Sequence, residues 1–176
     1  MIDDHIRYVQ DKDITAICGI YNYYVENTNI SFEEQCVTEE GMKQRVNNII
    51  QSYPWIVYTL DNKVVGYAYI SKWKDRSAYR FTVEDTIYVK HDQKEKGIGE
   101  ALFRELINEI LNKKIHVIIA VIALPNERSI KLHEKYGFKK TAHFTEVGYK
   151  NKEWIDVGYW ELLLAKHEDR ESIGIK

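Results

Sequence analysis

The chain has 176 residues, of which 44% are hydrophobic, and no long uncharged apolar run, so it can build one soluble domain with a real core but offers no membrane span. Its net charge of -2 mixes both signs throughout, which gives no electrostatic footprint for a nucleic-acid backbone; neither nucleic acid nor membrane is expected as a partner. The start, Met1-Ile2-Asp3-Asp4-His5, is acidic and lacks an apolar segment after a basic one, which makes a cytoplasmic address the default. Two cysteines, Cys18 and Cys36, give no disulfide framework and read as structural, and the scattered histidines lack metal-ligand spacing, so no metal is expected.

In chain order, Asp11 or Asp13 caps a first helix whose apolar positions Ile14, Ile17, Cys18, Tyr21, Tyr24 and Val25 recur at helical spacing and which ends near Asn27. Thr38 starts a second helix carrying Met42, Val46, Ile49 and Ile50, with Pro54 just beyond its end. The period then changes: residues 55–60 and 63–70 are rich in β-branched and aromatic side chains and form a hairpin about Asp61-Asn62. A third strand follows the polar loop at 72–77, and residues 97–112 form an amphipathic helix. Residues 116–122 read as a nearly continuous apolar strand buried on both faces. A short helix from Glu127 to Tyr136 stops at Gly137, a suitable C-cap, and two strands near 140–149 and 154–164 return as a hairpin through Lys150-Asn151-Lys152. Residues 1–165 make one α+β domain, and 166–176 a polar tail.

The run Glu95-Lys96-Gly97-Ile98-Gly99-Glu100 links a strand to a helix with two glycines. The first N–H groups of a helix lack intrahelical partners and carry the positive end of the macrodipole, so this turn is built to hold phosphate, and glycine lets the ligand approach the backbone. The alternative is a tight connection and nothing more. A P-loop would need Gly-Lys-Ser/Thr, and a dinucleotide fingerprint a small residue where Leu102 stands, so neither fits. Alternation along the preceding strand groups Glu84 with Arg80, Thr82, Thr86 and Tyr88, facing a cleft, and sets Asp85 on the other face.

The order of elements, the Gly97-Ile98-Gly99 turn, and Asn126 followed by Ser129-Ile130-Lys131-Leu132-His133-Glu134-Lys135-Tyr136-Gly137-Phe138 together resemble the GNAT N-acetyltransferase superfamily. Tyr53-Pro54-Trp55, Trp73-Lys74 with Arg76 and Ala78-Tyr79, Thr82-Val83-Glu84, Leu124-Pro125-Asn126 and Trp154 with Asp156-Val157-Gly158-Tyr159-Trp160 resemble its phosphinothricin and methionine-sulfone acetyltransferase branch, from about residue 6 to 164. The resemblance implies a mixed, mostly antiparallel central sheet flanked by helices. It also implies acetyl-CoA as the co-substrate, and acetylation of the α-amine of a small amino acid or toxic analogue. The strand backbone of Ile87, Tyr88 and Val89 would pair with the pantetheine, residues Glu95, Lys96, Gly97, Ile98, Gly99 and Glu100 would wrap the pyrophosphate, and Asn126 and Ser129 would complete the cofactor contacts. Lys94 departs from the superfamily's usual Gln or Arg, which should alter affinity modestly, because most phosphate contacts in such a turn are backbone N–H groups.

By the same resemblance Glu84 is the general base and His133 stands where the leaving thiolate is protonated. Phe32, Trp73, Lys74, Arg76, Tyr79 and Thr82 border the acceptor, with Arg76 suited to a carboxylate, and the assembly is a homodimer reached through the late aromatic strands or the Phe32 segment. Tyr136 reads as a packing residue. Two rival readings remain: a peptide or protein acetyltransferase with an open groove, and a non-catalytic acyl-CoA-binding module.

Overall fold

Two-residue turns in the left-handed region fix both hairpins. Strands β2 (Trp55–Leu60) and β3 (Lys63–Lys72) are joined by Asp61 and Asn62, with φ of 47° and 61°. Strands β6 (Lys139–Lys150) and β7 (Glu153–Leu163) are joined by Asn151 and Lys152, with φ of 52° and 66°. Such turns match the right-handed twist of the strands they join, and Asn and Asp bear the backbone cost best. The computed structural model describes residues 5–93, 97–111 and 113–164; Lys94, Glu95, Lys96 and the tail expected at 166–176 lie outside the described residues.

The chain forms two compact units, Met1–Ser71 with Asp85–Lys113, and Lys72–Glu84 with Lys114–Lys176. The strands of the first run in the order β1 (Ile6–Tyr8), β2, β3 and β4 (Thr82–Val89), and those of the second in the order β4, β5 (Val117–Ala123), β7, β6. Strand β4 therefore gives its C-terminal half to one unit and its N-terminal half to the other. β1–β2, β2–β3, β5–β7 and β6–β7 are antiparallel, and β4–β5 is parallel. The architecture is α+β, as the sequence implied.

In the first unit, helices α1 (Ile14–Asn27) and α2 (Glu39–Ile50) bury Ile17, Tyr24, Met42 and Val46 with Trp55 and Val57 of β2 in one apolar cluster. Each such side chain contributes about 1.5–3 kcal/mol through removal from water. Thr38 caps α2, its Oγ1 accepting from the Gly41 N–H at 3.0 Å. Ile50, expected on the apolar side of that helix, is exposed. Asp13 stands at the N-cap position of α1 but makes no side-chain cap. Its carboxylate instead accepts from both Arg7 Nη atoms at 2.7 and 2.8 Å and from the Gln10 N–H at 2.8 Å, so a capping group became one half of an ion pair that holds β1. Cys18 is buried and Cys36 exposed, which corrects the structural reading of the second thiol.

Helix α3 (Ile98–Leu111) buries Ile98, Leu102, Phe103, Leu106, Ile107 and Ile110. It sits close on β3 because Gly66 has no side chain: a Cβ there would come within 3.1 Å of Leu102 Cδ1 and 3.2 Å of Ile98 Cγ2 and of the Tyr88 carbonyl oxygen. In the second unit, α4 (Glu127–Lys135) is followed by Gly137 at φ 88°, the left-handed position that ends a helix. β5 is not buried on both faces, as its apolar run suggested. Val121 is 37% exposed, on the face it shares with Tyr159 and Ala142.

Candidate active site

The glycine turn opens α3 as expected. Gly97 has φ 77°, a conformation that favours glycine, and its carbonyl accepts the first helical bond from the Ala101 N–H at 2.9 Å. The N–H groups of Ile98 and Gly99 belong to the first turn of this helix, where backbone donors lie at the helix end. Among the described residues, a Cβ added to Gly99 would touch Val89 Cγ2, at 3.6 Å, an ordinary contact, so their packing leaves room for a side chain there. Glu100 is half-buried, and Glu95 and Lys96, which the family resemblance implied would wrap a pyrophosphate, lie outside the described residues. Val89 is fixed from behind by Tyr24, whose hydroxyl donates to its carbonyl at 2.6 Å.

In the second unit the parallel ladder consists of Thr82↔Val117, Val83↔Ile118 and Glu84↔Ile119. Glu84 is thus the last β4 residue on this ladder, half-buried like Thr82, while Asp85 is buried on the opposite side of the strand. Asp85, Thr86, Ile87, Tyr88 and Val89 continue β4 past it.

The expected acceptor loop contains a 3-10 turn, Ser77–Tyr79. Tyr79 meets Trp73 edge-on at 5.2 Å, and Lys74 Nζ stands 4.6 Å over the Trp73 ring, a cation–π clamp that takes this cation out of play. Arg76 is exposed, and its guanidinium has no partner among the described residues. Phe32 belongs to the first unit and is 43% exposed.

Asn126 caps α4, its Oδ1 accepting from the Ser129 N–H at 3.2 Å, which leaves the amide NH2 as its donor toward a ligand. Four residues on, the buried His133 sets Nδ1 2.7 Å from the Ser129 carbonyl and 3.3 Å from its Oγ, and packs edge-on against Phe138 at 5.0 Å. The contact with a carbonyl requires the proton on Nδ1, so the imidazole is oriented and its tautomer fixed. Tyr136 is the C-cap of α4.

Sequence reasoning missed an aromatic cluster in the first unit. Tyr67 and Tyr69, two apart on β3, stack at 6.3 Å and lie beside Trp55, while Tyr21 and Tyr24 of α1 meet Tyr88 of β4 edge-on at 5.3 and 5.0 Å. Burial, then the neighbouring phenols, pushes the Tyr67 and Tyr88 hydroxyls far above the ordinary phenol value. The i, i+2 spacing of Tyr67 and Tyr69 was the available signal.

In the first unit a glycine turn thus opens α3, and in the second a carboxylate stands on the last rung of the parallel ladder. The acetyltransferase (GNAT) domain family matches residues 6–158. The chain belongs to this GNAT acetyltransferase family. It is 35% identical over 156 residues to the phosphinothricin N-acetyltransferase of Streptomyces viridochromogenes, covering 89% of this chain and 85% of the relative. It is 33% identical over 163 residues to the L-methionine sulfoximine/L-methionine sulfone acetyltransferase of Salmonella typhimurium, covering 92% and 95%. Among solved structures, a phosphinothricin acetyltransferase from Sinorhizobium meliloti in complex with acetyl-CoA superimposes with a TM-score of 0.88 at 34% identity, covering 91% of this chain and 88% of that one. A ribosomal-protein-alanine N-acetyltransferase from Brucella melitensis gives a TM-score of 0.88 at 34% identity, covering 90% and 99%.

This GNAT acetyltransferase uses acetyl-CoA as its co-substrate, and it has the GNAT fold. Its small turn glycine and outward helix N–H groups fit the charged end of that molecule. Among the described residues no group of His, Cys, Asp and Glu is arranged to hold a metal, and no helix is long and apolar enough to cross a membrane.

Proposed function

We propose that the protein acetylates the α-amine of a small amino acid or toxic analogue whose side chain carries a tetrahedral sulfone, sulfoximine or phosphinate group, with detoxification as its role. The observation that carries this reading is the match, over 89% and 92% of the chain, to relatives named for such acceptors. Pantetheine runs along Ile87, Tyr88 and Val89 and receives the Asn126 amide. The pyrophosphate is wrapped by residues 95–100, with Ser129 at its side.

Glu84, directly or through water, takes a proton from the substrate ammonium. The amine then attacks the thioester carbon, the C–S bond breaks, and as the nitrogen sheds its second proton to become the amide the thiolate takes one up, so that the transfer balances. The position of Glu84 on the last rung of the ladder supports its role. Because Nδ1 of His133 keeps its proton on the Ser129 carbonyl, Nε2 passes a proton to the thiolate only after it has itself taken one up, so the donor is the imidazolium. Arg76 takes the acceptor's carboxylate, in a loop framed by Trp73, Lys74 and Tyr79, with Thr82 and Phe32 bordering the same acceptor.

The likeness to a ribosomal-protein-alanine N-acetyltransferase supports a second reading, acetylation of a peptide amino terminus. An acetyl-CoA consumption screen separates them. Methionine sulfone, methionine sulfoximine and phosphinothricin should be consumed well ahead of alanine-terminated peptides, and the reverse order would replace the first reading with the second.

The proposal extends to a homodimer in the cytoplasm, where acetyl-CoA is made, with residues 1–165 as the catalytic domain. Val121, Phe144 and Leu163, 37%, 50% and 60% exposed, share one face of β5, β6 and β7, an apolar surface suited to a second copy. Sedimentation at micromolar concentration should give twice 20.8 kDa; a monomer would remove the dimer from the proposal.

A further inference from the structure

The run Tyr53-Pro54-Trp55 takes no part in the chemistry proposed above. In the first unit these three residues border a cavity of about 350 Å³, together with Tyr8 at the end of β1 and with Glu109 and Lys113 at the C-terminal end of α3. The volume falls in the range of small-molecule sites, roughly 300–1,000 Å³. Glu109 lies eleven residues after Ile98, so a rise of about 1.5 Å per residue sets it roughly 16 Å along the helix from the glycine turn. The cavity is therefore separate from that turn. Ile50, the apolar side chain that α2 leaves exposed, borders it as well.

The charges around the cavity are not spent on one another. Glu109 and Lys113 stand one helical turn apart, yet they form no ion pair: Glu109 accepts a hydrogen bond from the Tyr8 hydroxyl, and Lys113 Nζ has no partner among the described residues. That bond pushes the Tyr8 hydroxyl up to about 12, so the phenol stays a donor and the carboxylate keeps lone pairs for a further one. An anionic ligand would suit Lys113 but meet Glu109, and Glu105 one turn before it, which also bears on Tyr8. A cationic ligand would suit Glu109 but meet Lys113, and a neutral one would match neither. A zwitterion matches both.

We infer that this cavity is a binding site for a free α-amino acid with an apolar or aromatic side chain, its ammonium on Glu109, its carboxylate on Lys113 and its side chain against Tyr53, Pro54 and Ile50. It is a second site, apart from the acceptor site proposed at Glu84 and Arg76. It discriminates against an N-acetylated amino acid, which has lost the ammonium. The test is a nuclear magnetic resonance titration of the isotope-labelled full chain with L-phenylalanine, N-acetyl-L-phenylalanine and phenethylamine, following the Trp55 indole signal. Trp55 borders the cavity with its Nε1 buried and without a hydrogen-bond partner among the described residues, and Trp73, Trp154 and Trp160 belong to the second unit. Phenylalanine should shift that signal saturably, and the two probes that lack one charge should bind roughly tenfold more weakly. Lys113→Met should weaken phenylalanine by a similar factor, and Arg76→Ala should leave it within about twofold of wild type. Lys113 is exposed and unpaired among the described residues, and a dispersed spectrum in the same titration verifies that its variant is folded. No shift of the Trp55 signal, equal affinity for the three probes, an unchanged response in folded Lys113→Met, or a response lost in Arg76→Ala overturns the inference. None of these outcomes bears on which amine is acetylated.

Discussion

Tyr24 reaches from α1 to the last residue of β4 and donates its hydroxyl to the Val89 carbonyl at 2.6 Å. The same Val89 carries the methyl group that stands 3.6 Å from where a Cβ on Gly99 would lie. One hydroxyl thus holds the strand end against the phosphate turn. Tyr24→Phe should lower stability by about 1 kcal/mol and weaken acetyl-CoA binding roughly threefold, read by thermal melting and calorimetry. A lowered Tm with unchanged affinity would confine the bond to stability.

Glu84→Gln keeps the shape of the side chain at the last rung but removes proton acceptance. Acetylation should slow on the order of 100-fold or more while the Kd for acetyl-CoA stays put. Unchanged turnover at neutral pH would take the base assignment away from Glu84.

Arg76→Ala should raise the KM of the acceptor amino acid by roughly tenfold, the scale of a charge-assisted pair, with little change in the Kd of acetyl-CoA. A loss confined to cofactor binding would move Arg76 to the other ligand. Lys74, held over the Trp73 ring, should give a smaller effect in the same assay.

Gly99→Val adds bulk where the pyrophosphate is proposed to lie, and among the described residues the atom nearest the new Cβ is at 3.6 Å. Calorimetry should show weakened acetyl-CoA binding, with a circular dichroism spectrum close to wild type. Normal affinity in the folded variant would make the turn a plain connection.

The Arg7–Asp13 pair sets a pH dependence. Burial raises the Asp13 carboxyl, but the hydrogen bonds from Arg7 and the Gln10 N–H outweigh it, and the pKa ends below the ordinary value. A folded-state pKa lower than the unfolded one contributes stability fully present above the unfolded value of about 4, lost as pH falls through the folded value. Asp13→Asn should cost about 2–3 kcal/mol at pH 7, less than a fully buried pair because Arg7 is partly exposed, and should flatten the fall of Tm below about pH 4. An acid limb identical to wild type would assign acid unfolding to other carboxylates.

Much of this was legible in the chain because its local signals agree. Thr38 three residues before Gly41, Asp61-Asn62 between two β-rich runs, and Gly137 after an amphipathic stretch each specify one backbone geometry, and the elements formed there. The strand Ile6–Tyr8 was illegible because three residues carry no period, and its place rests on pairing with β2 and on the Arg7 ion pair. Asp13 misled for a related reason: a side chain suited to capping found a stronger partner in Arg7, six residues back on a strand that the sequence did not reveal. Within the site, motif positions could be read from the resemblance, but the tyrosine cluster could not, since it joins α1, β3 and β4 through tertiary packing alone.

Gly66 has a consequence for how this protein tolerates change. The height at which the first turn of α3 rides above the sheet is set from below, by the absence of one carbon atom in the middle of β3, with Ile98 and Leu102 resting on that spot. Substitutions on the outward side of the phosphate turn alter contacts one at a time. An alanine at 66 would lift the whole helix start by a few tenths of an ångström and move all its outward N–H groups together. The proposed anion site is therefore set in part by a residue that would never face the anion.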